Sequence, residues 1–345
     1  MKLPIAQKIV DSKIPIILFL ICALVFFTYV SLQKPRVLVL HSYSTSFAWV
    51  RDINIGIQRV LAKQPYKVQY HYMDTKRNPG AEYKAKAAEI ARQQIIDWEP
   101  NVIIAIDDNA QSFVAQEFIN NPKMRIVFTG VNAEPEAYGY DTADNVSGLL
   151  ERIPFDSIKE AFVQILPSDR RRIVHYSDSS PTSDAVHLEM DTFDWKPIEL
   201  IEHIKLDTFD EWKQAILTAD RKADFLFITH YHTLKRSAED QRVVAPQEVM
   251  EWTMANSPLP DIGCWGFYVD DGGMLALGVS PYEEGDVAAQ MTVDILERDR
   301  PSRELGIKTS RLYVAYARES RLQRYGIKLP KVYESFARAT NNYFE

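Results

Sequence analysis

The sequence of 345 residues contains few of the residues that build the common covalent and nucleotide-binding frameworks. It has two cysteines, Cys22 inside an apolar run and Cys264 far downstream, which excludes a disulfide framework within the folded part and a cysteine-based zinc site. Its 13 glycines form neither a GxxxxGK[ST] phosphate loop nor a GxGxxG turn after a strand. Classical phosphate-loop and dinucleotide sites therefore have no support in the sequence.

Positive charge is also scarce. There are 40 Lys and Arg residues against 47 Asp and Glu residues, and the net charge is -7, so the chain has no global basic field to attract nucleic acid. The hydrophobic share of 46% and the charged share of 25% are ordinary for a globular protein. At roughly 150 residues per domain, we expect about two domains and no nucleic-acid partner.

One long uncharged run lies near the N-terminus, where residues 14–32 contain nineteen consecutive residues without a charge. A helix of that length spans about 28 Å, which just crosses a bilayer. Three lysines precede the run and place the N-terminus in the cytoplasm. A cut after Ser31 would leave Tyr29 at the -3 position, where a signal peptidase needs a small residue, so a retained anchor is favoured over a cleaved signal. This predicts a single-pass inner-membrane protein whose folded part lies in the periplasm.

Short β-rich runs alternate with amphipathic helical stretches after this segment, which is typical of parallel α/β units. Strands are predicted at residues 36–41, 67–73, 101–107 and 124–131. A second set of the same design begins at Ile158 and includes strands at residues 171–178 and 223–231. The fold class is therefore α/β with two Rossmann-like lobes.

Polar or aromatic side chains follow most of the predicted strands. Ligands of open parallel sheets bind beyond the carboxyl ends of the strands, where helix N-termini expose backbone N–H groups. Ser, Asp and Asn are also the preferred helix N-caps, so each residue alone has a purely structural explanation. Their shared position, with aromatic residues nearby, favours a small-molecule cleft. The candidate ligand-binding residues are Ser42, Tyr43, Ser44, Phe47, Trp49, Asp107, Asp108, Asn109, Thr129, Ser177, His230, Tyr231, Tyr268 and Asp270.

Four segments carry a resemblance to a known family. They are VLVLHSYSTSFAW, VIIAIDDNA, RIVFTGVN and the late GVSPYEEGDVAAQMTVDILERDRP, in which Gly285, Ala288 or Ala289, Met291, Ile295 and Leu296 match a Gly-x-x-Ala-x-x-Met-x-x-x-Ile-Leu helix. With the later YVAYARESRLQRYGIKLP, the chain resembles the ABC-transporter substrate-binding family of type I periplasmic binding proteins over residues 35–330. At the third strand, acidic Asp107 and Asp108 replace the small and threonine residues that are common in that family.

The resemblance implies two lobes that are hinged by three crossings and close on a ligand between them. It predicts a membrane segment at 1–34, an N-terminal lobe at 35–150, 272–280 and 309–330, a C-terminal lobe at 151–271 and 281–308, and a tail at 331–345. On this model Ser42, Tyr43 and Ser44 receive a carboxylate, while Asp107 or Asp108 holds an ammonium group. An amino acid or related amine satisfies both.

Catalytic and metal-based alternatives have weaker support. His230 and His232, with Asp270 and Asp271, are potential zinc ligands, but alternate residues of a strand point to opposite faces. The sequence has no GxSxG elbow for a hydrolytic triad. We therefore predict no catalytic residue, no metal and no cofactor.

The sequence predicts a membrane-tethered solute-binding protein that captures a small polar ligand without chemical change. It passes the ligand to an ABC permease, or presents its closed state to a membrane sensor protein. The alternatives are an α/β hydrolase or transferase acting on a small molecule, and a ligand-free protein-interaction module.

Overall fold

The structure is a computed structural model that describes residues 5–345, with the side chains of residues 13, 15–31 and 33–345. It begins with a long helix, α1 (Ile5–Leu32). Apolar side chains of this helix are exposed, among them Phe19, Leu24 and Phe27. Within the described residues, no helix combines the length and the hydropathy that a membrane crossing requires.

The first lobe is built around a parallel sheet of six strands in the order β11-β5-β4-β3-β1-β2. Its central strands are buried along their length because helices cover both faces. The elements of this lobe before the first crossing are β1 (Arg36–His41), α2 (Ala48–Leu61), β2 (Lys67–Tyr72), α3 (Ala81–Trp98), β3 (Val102–Ile106), α4 (Asp107–Phe113), β4 (Arg125–Val131) and β5 (Val146–Leu150), with single 3₁₀ turns at Ala115–Phe118 and Pro135–Tyr138.

The second lobe contains a sheet of seven strands in the order β13-β12-β10-β9-β8-β6-β7, in which β12 runs antiparallel to β10. Its elements up to the second crossing are α5 (Phe155–Ile165), β6 (Arg172–Asp178), α6 (Pro181–Thr192), β7 (Glu199–Leu206), α7 (Phe209–Thr218), a 3₁₀ turn at Ala219–Arg221, β8 (Phe225–Ile228), α8 (Pro246–Asn256), β9 (Asp261–Gly263), α9 (Gly266–Asp270) and β10 (Leu275–Val279). Two separate sheets confirm the predicted two-lobed α/β class.

The chain then crosses between the lobes twice more. It returns to the first lobe for α10 (Pro281–Arg298), α11 (Ser302–Leu305) and β11 (Ile307–Thr309), which pairs with β5. It ends in the second lobe with β12 (Tyr313–Arg318), α12 (Glu319–Arg324), α13 (Lys331–Ala339) and β13 (Tyr343–Phe344). The three crossings therefore lie between β5 and α5, between β10 and α10, and between β11 and β12.

The predicted lobe boundaries were wrong after residue 271. The sequence predicts residues 272–280 and 309–330 in the N-terminal lobe, but they contain β10 and β12, which pair with each other in the second sheet. It predicts residues 281–308 in the C-terminal lobe, but α10 packs on α2 and β4 of the first lobe. The Asp-Asp-Gly-Gly sequence at residues 270–273 forms the turn between α9 and β10, and the chain crosses at Ser280, the N-cap of α10.

Helices α2 and α10 meet backbone to backbone through two glycines. A Cβ atom added to Gly56 would lie 2.5 Å from the carbonyl oxygen of Tyr282, and one added to Gly285 would lie 2.2 Å from the carbonyl oxygen of Ile53. Neither backbone can yield without separating the helices. This close approach fixes α10, and with it the second crossing, onto the first lobe.

We expect Gly285→Ala to lower the free energy of unfolding by about 2 kcal/mol or more, because the added methyl group overlaps the backbone of α2. The matched control is Gly80→Ala at the start of α3, where an added Cβ atom meets nothing within 4 Å. It should cost less than about 1 kcal/mol. Urea unfolding of the purified full-length protein measures both, and equal effects of the two substitutions would contradict the packing argument.

Candidate functional site

The carboxyl ends of the two sheets face each other across a narrow gap. Tyr43, which follows β1, places its hydroxyl 3.3 Å from Oγ1 of Thr182 in the first turn of α6. The ring of Phe47 packs against those of His232 and Phe267, with centroids 4.9 and 5.1 Å apart. Aromatic side chains of the first lobe thus touch the second lobe directly.

A central cavity of about 20 Å³ lies within this gap, which is room for about one water molecule. From the first lobe it is lined by Tyr43, Phe47, Trp49, Lys76, Asp107, Asn132 and Glu151, and from the second by Thr182, His230, Trp265 and Phe267. Two outer cavities of about 380 and 450 Å³ adjoin it and share Tyr43 and Lys76 with it. Both outer volumes fall within the usual range of small-molecule sites, roughly 300–1,000 Å³.

Lys76 is a buried cation at the centre of the gap. It lies in the turn after β2, is 8% exposed, and holds its ammonium group 4.4 Å from the ring centroid of Tyr43 and 4.9 Å from that of Phe47. Among the described residues, no carboxylate lies within ion-pair distance of it. Burial lowers the pKa of Lys76, while Asp178, Asp107 and Glu151 act in the opposite direction.

Asp107 is a buried carboxyl group on the same cavity. It begins α4 with a left-handed φ of 65°, a conformation that non-glycine residues seldom adopt. Its Oδ1 atom accepts a hydrogen bond of 2.9 Å from Nε1 of Trp49, while its buried Oδ2 atom has no hydrogen-bond partner among the described residues. Burial raises the pKa of Asp107 well above its usual value, and Lys76 partly opposes this. A buried carboxylate oxygen without a partner is a ready acceptor for a donor that enters the cavity.

Glu151 adds a second carboxylate where the chain leaves β5 for the first crossing. It accepts hydrogen bonds from Nε1 of Trp265 in the second lobe and, at 3.2 Å, from Nδ2 of Asn132. Burial raises the pKa of Glu151 to about 7. This side chain therefore joins the two lobes directly at the hinge and titrates near neutral pH.

The structure brings some of the sequence-predicted site residues together. Tyr43, Phe47, Trp49, Asp107 and His230 line the central cavity, Ser44 and Asp270 border the larger outer cavity, and Asn109 borders the smaller one.

The other six predicted side chains form hydrogen bonds within their own lobe, and one of them, Thr129, bonds to α10. The Ser42 hydroxyl donates to the carbonyl oxygen of Ile106 at 2.7 Å, and Thr129 donates to the carbonyl oxygen of Glu284 at 3.0 Å. The remaining partners are Ala133 and Tyr138 for Asp108, His187 for Ser177, Asp271 for Tyr231, and Asp261 for Tyr268. None of these six residues lines the three cavities of the described gap.

Sequence reasoning missed four important cavity residues. Lys76 follows the carboxyl end of the second strand, so the rule of strand ends applies to it as well. Trp265 and Phe267 follow β9 and flank the start of α9 beside the gap. Glu151 was hidden in a polar connecting segment, and only the β4–β5 pairing shows that a strand ends beside it.

Comparisons with known proteins identify the fold. A family model described as "ABC transporter substrate binding protein" matches residues 50–330, which confirms the predicted resemblance. A conserved domain protein from Vibrio cholerae O1 biovar El Tor strain N16961 superposes with a TM-score of 0.69 at 19% identity, covering 91% of this chain and 100% of that chain. No curated protein sequence matches the chain significantly.

Two further solved structures have the same two-lobed arrangement. The ABC domain in complex with L-Trp from Streptococcus pneumonia gives a TM-score of 0.64 at 13% identity, covering 87% of this chain and 98% of that chain. A ligand-free, open substrate-binding protein with adhesive properties from Clostridium difficile gives 0.58 at 18% identity, with coverages of 86% and 96%. The fold is that of the type I periplasmic binding proteins.

The raised pKa of Glu151 predicts a pH dependence of stability. The pKa of its carboxyl is about 4.5 in the unfolded chain and about 7 in the folded protein, so folding takes up a proton when the pH lies between these two values. This contribution to stability is fully present below about pH 4.5 and is lost as the pH rises through about 7. Between pH 4.5 and pH 8, the unfolding free energy of the unchanged protein should fall by about 3 kcal/mol more than that of the Glu151→Gln variant. Urea unfolding as a function of pH measures this, and parallel pH profiles of the two proteins would refute it.

Proposed function

We propose that this chain, which belongs to the ABC transporter substrate-binding protein family, closes its two lobes on a zwitterionic amino acid with an apolar or aromatic side chain. One observation carries the proposal. A lysine, Lys76, and an aspartate, Asp107, are both more than nine-tenths buried on one cavity, and among the described residues neither forms an ion pair with a side chain.

The two charges are complementary to the two ends of an amino acid. The ligand carboxylate accepts from the Lys76 ammonium group, and the ligand ammonium donates to the free Oδ2 atom of Asp107. Glu151 supports the ammonium, because a neighbouring cation favours the ionised form of a carboxyl whose pKa is near 7. Lys76 thus replaces Ser42 in the role of carboxylate receptor, since the Ser42 hydroxyl already bonds within the first lobe.

Aromatic side chains supply the apolar part of the proposed site. Trp265 and Phe267 stack with their ring planes 9° apart, and Phe47 packs against Phe267 from the first lobe. Flat ring surfaces of this kind favour a planar or branched apolar side chain. The relative from Streptococcus pneumonia, which was solved with L-Trp, supports the choice of ligand class.

Binding requires the lobes to separate and close again. The central cavity of about 20 Å³ admits one water molecule, so an amino acid enters only when the gap widens. A ligand then favours the closed form by the contacts that it makes there and lacks in the open form. The three crossings, with Glu151 and Trp265 beside the first, are the elements that bend.

We further propose that the chain is tethered to the inner membrane by α1, with the two lobes in the periplasm. The uncharged run of residues 14–32 and the exposed apolar side chains of α1 support this. The proposed partner is an ABC permease or a membrane sensor protein, because a tether raises the local concentration near a membrane partner. The ligand is presented without chemical change.

Lys76→Met is expected to weaken binding of the amino acid at least about 30-fold, because a buried charge partner of the ligand carboxylate is removed. The ligand is identified first by a thermal-shift screen of the standard amino acids and their amines, and affinities follow by calorimetry. Lys213→Met is the matched control. Like Lys76, Lys213 holds its ammonium group over an aromatic ring, 4.3 Å from the ring centroid of Phe209, but it lies on a helix of the second lobe. Unchanged affinity of the Lys76 variant, or a flat screen, would contradict the proposal, and a flat screen would favour a protein-interaction role.

Asp107→Asn tests the opposite end of the ligand. The unchanged protein should prefer the amino acid over the same molecule without its amino group by about 30-fold or more, since the Asp107 oxygen loses its donor in the second case. In the variant this preference should fall to a few-fold. Competition calorimetry with the two ligands measures the ratio, and a ratio that survives the substitution would exclude Asp107 as the ammonium site.

A further inference from the structure

Three histidines meet in the second lobe, away from the gap. His175 on β6 and His203 on β7 are paired in register across the two strands, and His187 on α6 packs against both. The ring centroid of His187 lies 4.9 Å from that of His175 and 5.0 Å from that of His203. One ligand nitrogen from each ring lies within 4.8 Å of one from each of the others.

Each ring already has an oxygen partner on one side. The Nε2 atoms bond to Oγ1 of Thr229 at 2.9 Å for His175, to Oγ of Ser177 at 3.0 Å for His187, and to Oδ1 of Asp191 at 3.1 Å for His203. An imidazole whose Nε2 carries the proton has a free electron pair on Nδ1. Histidines that bind metals are held in this way, with one ring nitrogen donating to an oxygen and the other facing the ion.

The opposite nitrogens of two of these rings lack partners. The Nδ1 atoms of His175 and His203 are buried and have no hydrogen-bond partner among the described residues. His175 itself is fully buried. A buried ring nitrogen without a partner is costly, so these atoms point to a ligand that the protein's own side chains do not supply.

We propose that His175, His187 and His203 form a binding site for a divalent transition metal ion, with Zn²⁺ as the best match. Three imidazole nitrogens and one water oxygen complete the tetrahedral set that Zn²⁺ prefers. With Zn–N bonds of about 2.0–2.1 Å, the nitrogens must approach each other to about 3.3 Å, so the rings rotate inward when the ion binds. The site departs from the sequence-based expectation of no metal, because three residues far apart in sequence converge only through the β6–β7 pairing.

The ion has a path from solvent and a connection to the gap. The side chain of His203 is 27% exposed, so the cluster opens to water between α6 and β7. His187 and Thr182 lie on the same helix, and Thr182 contacts Tyr43 across the gap. An ion that joins α6 to β6 and β7 therefore fixes the position of the second-lobe surface that meets the ligand.

The test is zinc binding to the full-length chain, prepared without a histidine tag and stripped with a chelator. Competition with a chromophoric zinc chelator at pH 7 should show one Zn²⁺ per chain. His187→Gln and His203→Gln should each weaken binding at least tenfold. The matched control is His71→Gln on β2 of the first lobe, a half-buried histidine whose Nδ1 atom bonds to Gln94, and it should bind as the unchanged protein does.

A second measurement is independent of the variants and of their folding. X-ray absorption at the zinc edge of the unchanged protein should show three imidazole nitrogens, and Co²⁺ in place of Zn²⁺ should give the intense visible bands of a tetrahedral ion. Absence of binding, fewer than three imidazoles, or unaltered affinity in both folded variants would overturn the proposal. The last result would place the ion elsewhere on the chain.

Discussion

A buried lysine and a buried aspartate that form no ion pair within the described residues are the constraint on which the gap between the lobes depends. The desolvation of Lys76 and of Asp107 each costs several kcal/mol, and a protein recovers that cost only through matched charges and hydrogen bonds. The sequence sets Lys76 in the turn after β2 and Asp107 in a left-handed conformation at the end of β3. The aromatic rings that shield these two side chains come from both lobes. The burial of Lys76 and Asp107 therefore depends on how the two lobes are arranged.

The hinge is built from the same elements. The chain passes between the lobes beside Glu151, at Ser280 and before β12, and the contact of Gly56 with Gly285 fixes the middle passage firmly to the first lobe. The proposed closing movement therefore falls on the short connections between the lobes and not within either sheet. The Glu151–Trp265 hydrogen bond lies at this boundary, so the protonation of one carboxyl bears directly on the contact between lobes.

Much of the fold follows from sequence pattern because the signals are local. Alternation of buried strands with amphipathic helices predicts two parallel sheets, and the rule of strand ends finds Tyr43, Phe47, Asp107 and His230. Prediction from the sequence fails where the structure depends on contacts between segments that are distant in the chain. The lobe membership of residues 272–330 is decided by β10 pairing with β12 and by α10 packing on α2, and neither contact leaves a periodic signal. Ser42 and Thr129 satisfy the strand-end rule equally well, yet nearby backbone and α10 already bond their hydroxyl groups.

The indole groups of Trp49 and Trp265 have an optical consequence. Trp49 donates to Asp107 and Trp265 donates to Glu151, so each indole lies against a carboxylate in the narrow space between the lobes. Opening of that space admits water to both rings and alters the field around them. Two of the chain's six tryptophans are thus placed to report lobe motion through their own emission, without an attached dye.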